Sequence, residues 1–106
     1  MQRDVPAGFS RRVVIIGLIY ETDTRALYQG TRVAKFVNIH AVAERKLQLL
    51  DSAATLNFLR SPPGNRLQAL VGNRAGQHSI RINDQWCICF VWAGNGVKNV
   101  EIVDYH

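Results

Sequence analysis

The stretch QWCICFVW, Gln85 to Trp92, decides the fold. Read as an extended strand, its alternation puts Trp86, Ile88, Phe90 and Trp92 on one face and Cys87, Cys89 and Val91 on the other. The first face is large and wholly apolar, so it has to be covered by a second layer. Turn signals bracket it: the ND pair at Asn83 and Asp84 on one side, and AGNG, residues 93–96, on the other. Beyond the first turn lies QHSIRI (residues 77–82), where Ile80 and Ile82 oppose Gln77, Ser79 and Arg81. Further back come RLQALVG (residues 66–72) and the loop NRAG (residues 73–76), and beyond the second turn VKNVEIVDYH (residues 97–106). Links this short join antiparallel neighbours. The partly open face of such a sheet carries Arg81 and Cys87.

Upstream, the periodicity changes from two to that of a helix. After FVN, Ile39, Ala43, Leu47 and Leu50 recur on one side while Glu44, Gln48 and Asp51 look outward, with Asn38 as the expected N-cap. An earlier and shorter helix is expected in ETDTRALYQG (residues 21–30), capped by Thr22 or Asp23, with Leu27 and Tyr28 on its apolar side and Gly30 at its end. VVIIGLIY (residues 13–20) reads as a buried strand, and residues 1–12 as a loose extension without apolar pattern. SPPGN (residues 61–65) forces a loop between helices and strands, with a turn of helix expected before it through Leu56 to Leu59. The expected architecture is therefore α+β: residues 13–106 as one domain, two amino-terminal helices against a mostly antiparallel sheet of about four to five strands.

Thirteen Lys and Arg face eight Asp and Glu among 106 residues, a net charge of +5. The first twelve residues account for only part of the excess, so basicity is spread through the domain, as suits a polyanionic partner such as nucleic acid or an acidic protein. No stretch approaches a transmembrane span. SRRVVIIGLIYETD has a twin-arginine look, but its apolar run is eight residues long and acids follow it directly, so a strand is the better reading. Cys87 and Cys89, two apart on a strand, are too cramped for an ordinary disulfide and point to a reducing, cytoplasmic setting. Two cysteines and three dispersed histidines form no recognisable metal spacing, and no cofactor is expected. Trp86 and Trp92 read as core, and His78, on the face of Ile80, as a half-buried structural histidine.

The chain stops on Asp104, Tyr105 and His106, three side chains able to handle protons. In a regular strand Val103 and Tyr105 share one face, Asp104 and His106 the other. The run NVEIV ties this end to the sheet, which a solubilising tail does not need.

LRSPPGNRLQALVGNRAGQHSIRINDQWCICFVW, followed by NVEIVDYH, resembles the HigB family of host-inhibition toxins within the RelE/ParE-like superfamily. The resemblance runs from about Val14 to His106 and includes LLDSA. Its long middle motif is highly specific, whereas the first strand and helix match only loosely. It implies two helices on a curved, mostly antiparallel sheet, a ribosome-dependent endonuclease acting on mRNA, and a HigA-like helix-turn-helix antitoxin as partner, with no membrane.

Metal-free RNA cleavage needs a base for the 2′-OH proton, an acid for the departing 5′-oxygen and cations for the phosphorane. His106 titrates near neutrality, and a neighbouring terminal carboxylate favours its imidazolium, which suits an acid. Tyr105 suits nucleotide positioning, and Asp104 suits orienting His106 or contacting the ribose. Arg60, Arg66, Arg74 and Arg81 are the phosphate-binding candidates, because guanidinium matches phosphate in bidentate fashion. Of these, Arg74 matches a basic position recurrent in the family. Two departures stand against the pattern. Cys87 occupies the place where members commonly carry arginine in QWRICF, and Val71 and Gln68 stand where a lysine and, in some members, a histidine occur. The expectation is an attenuated nuclease. Its rivals are a non-enzymatic inhibitor of a protein target, as in the gyrase-poisoning branch, and a catalytically dead relative that binds antitoxin or RNA.

Overall fold

The computed structural model describes residues 21–94 and 96–104. The expected extension at 1–12, the expected strand at 13–20, and Tyr105 and His106 lie outside the described residues. Among the described residues two α-helices, α1 (Thr22–Tyr28) and α2 (His40–Ser52), precede four strands: β1 (Gln68–Ala69), β2 (His78–Arg81), β3 (Trp86–Ala93) and β4 (Gly96–Asp104). The strands form one antiparallel sheet in the order β1-β2-β3-β4. The α+β expectation holds.

α1 starts at a cap other than Thr22 or Asp23. Glu21 is extended, and its carboxylate accepts from the amides of Asp23 and Thr24, each at 2.9 Å, and from the Thr24 hydroxyl at 2.7 Å. Burial raises the Glu21 pKa, but these hydrogen bonds outweigh it and hold the carboxyl below its ordinary value. Gly30 closes the helix as expected. At φ +92°, it lets its own amide reach the Leu27 carbonyl and the Thr31 amide reach that of Ala26, the paired bonds of a Schellman ending.

Asn38 does not cap α2. The chain enters through a 3-10 turn at Ala34–Phe36, Ile39 occupies the cap position without a side-chain bond, and Asn38 is exposed. Phe36 and Ile39 are both buried, and the Ile39 amide donates to the Phe36 carbonyl at 2.9 Å. Packing of these two apolar side chains sets the entry, and the polar cap is dispensed with. Ile39, Ala43, Leu47 and Leu50 face the core as the periodicity requires. A second 3-10 segment, Leu56–Arg60, follows, with the Thr55 hydroxyl accepting from Phe58 N–H. It places Leu59 in the core.

β3 is central and obeys its alternation. Ile88 and Phe90 are wholly buried against the helices, with Trp86 and Trp92 half-buried at the two ends of that face. The Trp86 ring meets Phe36 edge-on, centroids 5.2 Å apart. His78 stacks on Phe90 on the same face, its Nδ1 buried without a hydrogen-bond partner among the described residues. β1 is far shorter than RLQALVG suggests. Arg66 is left-handed at φ 47°, and the segment Gly72–Arg74 turns as a 3-10 helix, so only Gln68 and Ala69 pair with β2. β4 carries a bulge: Cys89 opposes Glu101 but Val91 opposes Lys98, leaving Asn99 and Val100 opposite Phe90. Asn99 takes a left-handed φ of 54°, a conformation asparagine tolerates better than most residues.

A buried hydroxyl ties the helix layer to the sheet. Thr24 Oγ1 donates to Glu21 and accepts from the Ile102 amide of β4 at 2.9 Å. Thr24→Val keeps the shape and leaves that amide buried and unpaired, so it is expected to destabilise the domain by about 1–3 kcal/mol. Urea unfolding of the two proteins side by side checks this; coincident midpoints would show that the bond does not hold α1 to the sheet.

Candidate functional site

The sheet face turned away from the helices is not flat. It holds an open cavity of about 260 Å³. Strand alternation supplies most of its wall: Ser79 and Arg81 from β2, Cys87 and Cys89 from β3, and Val103 from β4. Arg66, Gln68 and Leu70, in and beside β1, close one side, and Arg74 reaches in from the loop between β1 and β2.

Each arginine arrives there for a local reason. Arg66 directly follows Asn65, which is wholly buried. The Asn65 amide nitrogen donates to the carbonyls of Leu59 and Ser61 at 3.1 and 3.2 Å, and its oxygen accepts from Lys46 of α2. That clamp fixes the SPPGN loop on the helix, and the left-handed Arg66 turns from it towards the sheet. Lys46 is thereby engaged within the fold. Burial, and then the neighbouring Arg45 charge, push its pKa down.

Arg74 ends the 3-10 turn that begins at Gly72 and is followed by Gly76, the two glycines at φ +68° and +94°. Its guanidinium donates to Gln77 Oε1 at 2.9 Å and meets Glu101 Oε1 at 3.4 Å. A second open cavity, about 310 Å³, lies on its other side, between Asn73, Gln77, Asn99 and Glu101. Arg74 lines both. Arg81 pairs with Asp84 of the β2–β3 turn. Asp84 is 93% exposed, so this ion pair stands in water and holds Arg81 only weakly.

Cys87 lies directly across from Arg81 in the ladder. Cys87 and Cys89 point the same way, with Sγ atoms 3.9 Å apart and one thiol donating to the other. They are 8% and 2% exposed, more covered than the partly open face foreseen for them. Residues in and beside β1 line the same cavity. The shared hydrogen bond, then burial, push the Cys87 thiol well up. At Cys89 the shared hydrogen bond, and then the nearby Arg74 charge, lower the pKa despite burial.

Of the residues picked out in the sequence, Arg66, Gln68, Arg74, Arg81 and Cys87 come together around this cavity. Arg60 does not join them; it is exposed at the end of its 3-10 segment. Val71 is 84% exposed and also stands outside the lining. Asp104 lies on the opposite parity from Val103, pairs in register with Trp86 and accepts from Gln85 Nε2 at 2.9 Å. Tyr105 and His106 lie outside the described residues. Sequence reasoning missed Glu101 and Asn65. The NRL run after SPPG gave no sign that Asn65 would be a buried clamp, and Glu101 faces Arg74 only because of the bulge.

The family model for the RelE-like toxin of the type II toxin–antitoxin system HigB matches residues 20–106. Toxin HigB-1 of Vibrio cholerae is 45% identical over 62 residues, 58% of this chain and 64% of that protein. An uncharacterized protein of Haemophilus influenzae is 38% identical over 65 residues, 61% of this chain and 64% of that protein. The chain thus spans just under two thirds of each of these relatives. It belongs to the HigB-like family of RelE-like toxins.

Because the two thiols share one hydrogen bond, Cys87→Ala removes the partner that stabilises a thiolate at Cys89. The pH at which Cys89 ionises should therefore move up. Thiolate ultraviolet absorbance followed against pH measures it; an unmoved or lowered midpoint would mean the two sulfurs do not share a proton.

Proposed function

We propose, on the premise of that membership, that the chain is the toxin of a type II toxin–antitoxin pair and cleaves mRNA at the ribosome in the cytosol, without a metal. The observation that carries this reading is the convergence of Arg66, Arg74 and Arg81 on one open cavity of a basic domain. Guanidinium groups set around a space of that size suit a ribose-phosphate linkage, and donors fixed before the reaction stabilise charge that develops on a phosphorane. The carboxylate partners of Arg74 and Arg81, Glu101 at 3.4 Å and the exposed Asp84, are ones a phosphate can displace.

In this reading the proton chemistry belongs to the last residues of the sequence. His106 protonates the departing 5′-oxygen, and Tyr105 positions the nucleotide. Asp104, which ends β4 on the face away from the cavity, orients its neighbours. Arg74 and Arg81 bind the scissile phosphate, with Arg66 at the adjoining one. The same cationic face suits an acidic segment of a helix-turn-helix antitoxin of the HigA type, which would silence the enzyme by covering it.

Cys87 makes the activity weak. Its position opposite Arg81 means that an arginine there would stand beside Arg81 at the cavity wall, whereas a thiol with a raised pKa brings no charge. One specific observation favours a second reading, a relative that binds RNA or antitoxin without cutting. Two of the three remaining guanidiniums are already paired with carboxylates.

Mapping transcript 5′ ends after brief expression separates these readings. Wild type should give new ends within coding sequence, His106→Ala should abolish them, and Cys87→Arg should increase cleavage by about two to three powers of ten. New ends only with Cys87→Arg would establish the dead relative. Intact transcripts with DNA-damage signalling would replace the nuclease by an inhibitor of a protein target.

A further inference from the structure

We infer that Cys87 and Cys89 form a two-thiolate site for a soft, low-coordinate cation of the cuprous class, at the floor of the arginine-lined cavity. The two side chains are i and i+2 on β3, so the ladder holds both on one face and in register with Arg81 and Ser79 of β2. Their sulfurs are 3.9 Å apart. Two metal–sulfur bonds of about 2.3 Å place their sulfurs roughly 3.8 Å apart at a tetrahedral angle and about 4.6 Å apart when collinear. The observed separation falls inside that interval, near its bent end, so one ion bridges the pair bent as it stands, or collinear once the sulfurs spread by about 0.7 Å.

The rest of the wall decides which kind of ion fits. Besides the two thiols the described residues of the lining offer arginine, glutamine, leucine, serine and valine side chains, with no imidazole or carboxylate among them. A zinc ion seeks a tetrahedral set of thiolate, imidazole and carboxylate ligands, and the described residues of that wall supply two such ligands. A soft monovalent cation is satisfied by two thiolates alone, and soft sulfur ligands select it.

Charge balance supports the same choice. The pair starts as two neutral thiols, and binding releases two protons as two copper–sulfur bonds form. The product, one cuprous ion between two thiolates, carries a net single negative charge, and no oxidation state changes. Arg74 lies close enough to favour ionisation of both thiols, and Arg81 stands across the ladder from Cys87. These guanidiniums offset the anionic product, whereas they would repel any site that ended positive. Occupation also places an anionic centre where a phosphate would enter, so the loaded protein should lose affinity for polyanions. That last consequence rests on the proposed RNA-binding role, but the site itself does not.

The test is an anaerobic titration of the full chain with the cuprous complex of bicinchoninate, following loss of the chelator's colour. Wild type should take one equivalent per chain with no change in its size-exclusion elution on loading, and with two sulfur neighbours by X-ray absorption at the copper edge. Cys87→Ser and Cys89→Ser should each lose that equivalent, with circular dichroism confirming that both remain folded. Retention of the equivalent by either serine variant would overturn the site. So would nitrogen neighbours at copper or a copper-bridged dimer in the wild type, neither of which depends on a variant folding.

Discussion

Both faces of β3 are committed, and the rest of the molecule follows from that constraint. The strand is hydrogen-bonded along both edges, so its side chains have nowhere to go but up or down. Ile88 and Phe90 fill the space under the helices, and Cys87 and Cys89 lie on the floor of the cavity above. A slip of one residue in the pairing would exchange the two sets and put thiols into the core. The large apolar face forbids it, so the position of every group on the other face, Arg81 included, is fixed by packing on the far side of the sheet.

The bulge in β4 is the second such device. Val97, Val100 and Ile102 all reach the core although they are three and then two residues apart, which a regular strand cannot achieve. The extra residue at Asn99 absorbs the mismatch. It also resets the parity beyond it, so that Glu101 and Val103 turn to the cavity side and Asp104 to the other. Glu101 then meets Arg74. One irregular residue thus satisfies the hydrophobic pattern and aims a carboxylate at a guanidinium.

The helix face of α2, the alternation of β3 and the Gly30 helix end were legible because each rests on a local period or a local backbone requirement. What the sequence hid was set by long-range packing. Asn38 looks like a cap, but burial of Phe36 and Ile39 governs the entry to α2. RLQALVG looks like a full strand, but the left-handed Arg66 and the turn at Gly72 leave it two paired residues. At the candidate site, guanidinium chemistry marks Arg66, Arg74 and Arg81 in the sequence, and the fold brings them to one cavity. Arg60 carries the same mark and stays outside, because its place depends on how the loop folds over Asn65, a side chain whose burial no pattern announces.

The pairing of Arg74 with Glu101 and of Arg81 with Asp84 changes what it means for this face to be basic. Lysines and arginines that stand alone in water attract mobile salt anions, and expelling those ions gives polyanion binding its steep dependence on ionic strength. Here two of the guanidiniums bring tethered counterions of their own. An incoming strand would displace carboxylates that stay attached to the chain, so less entropy is released to bulk. Its affinity would decline more gently with added electrolyte than a count of basic groups implies.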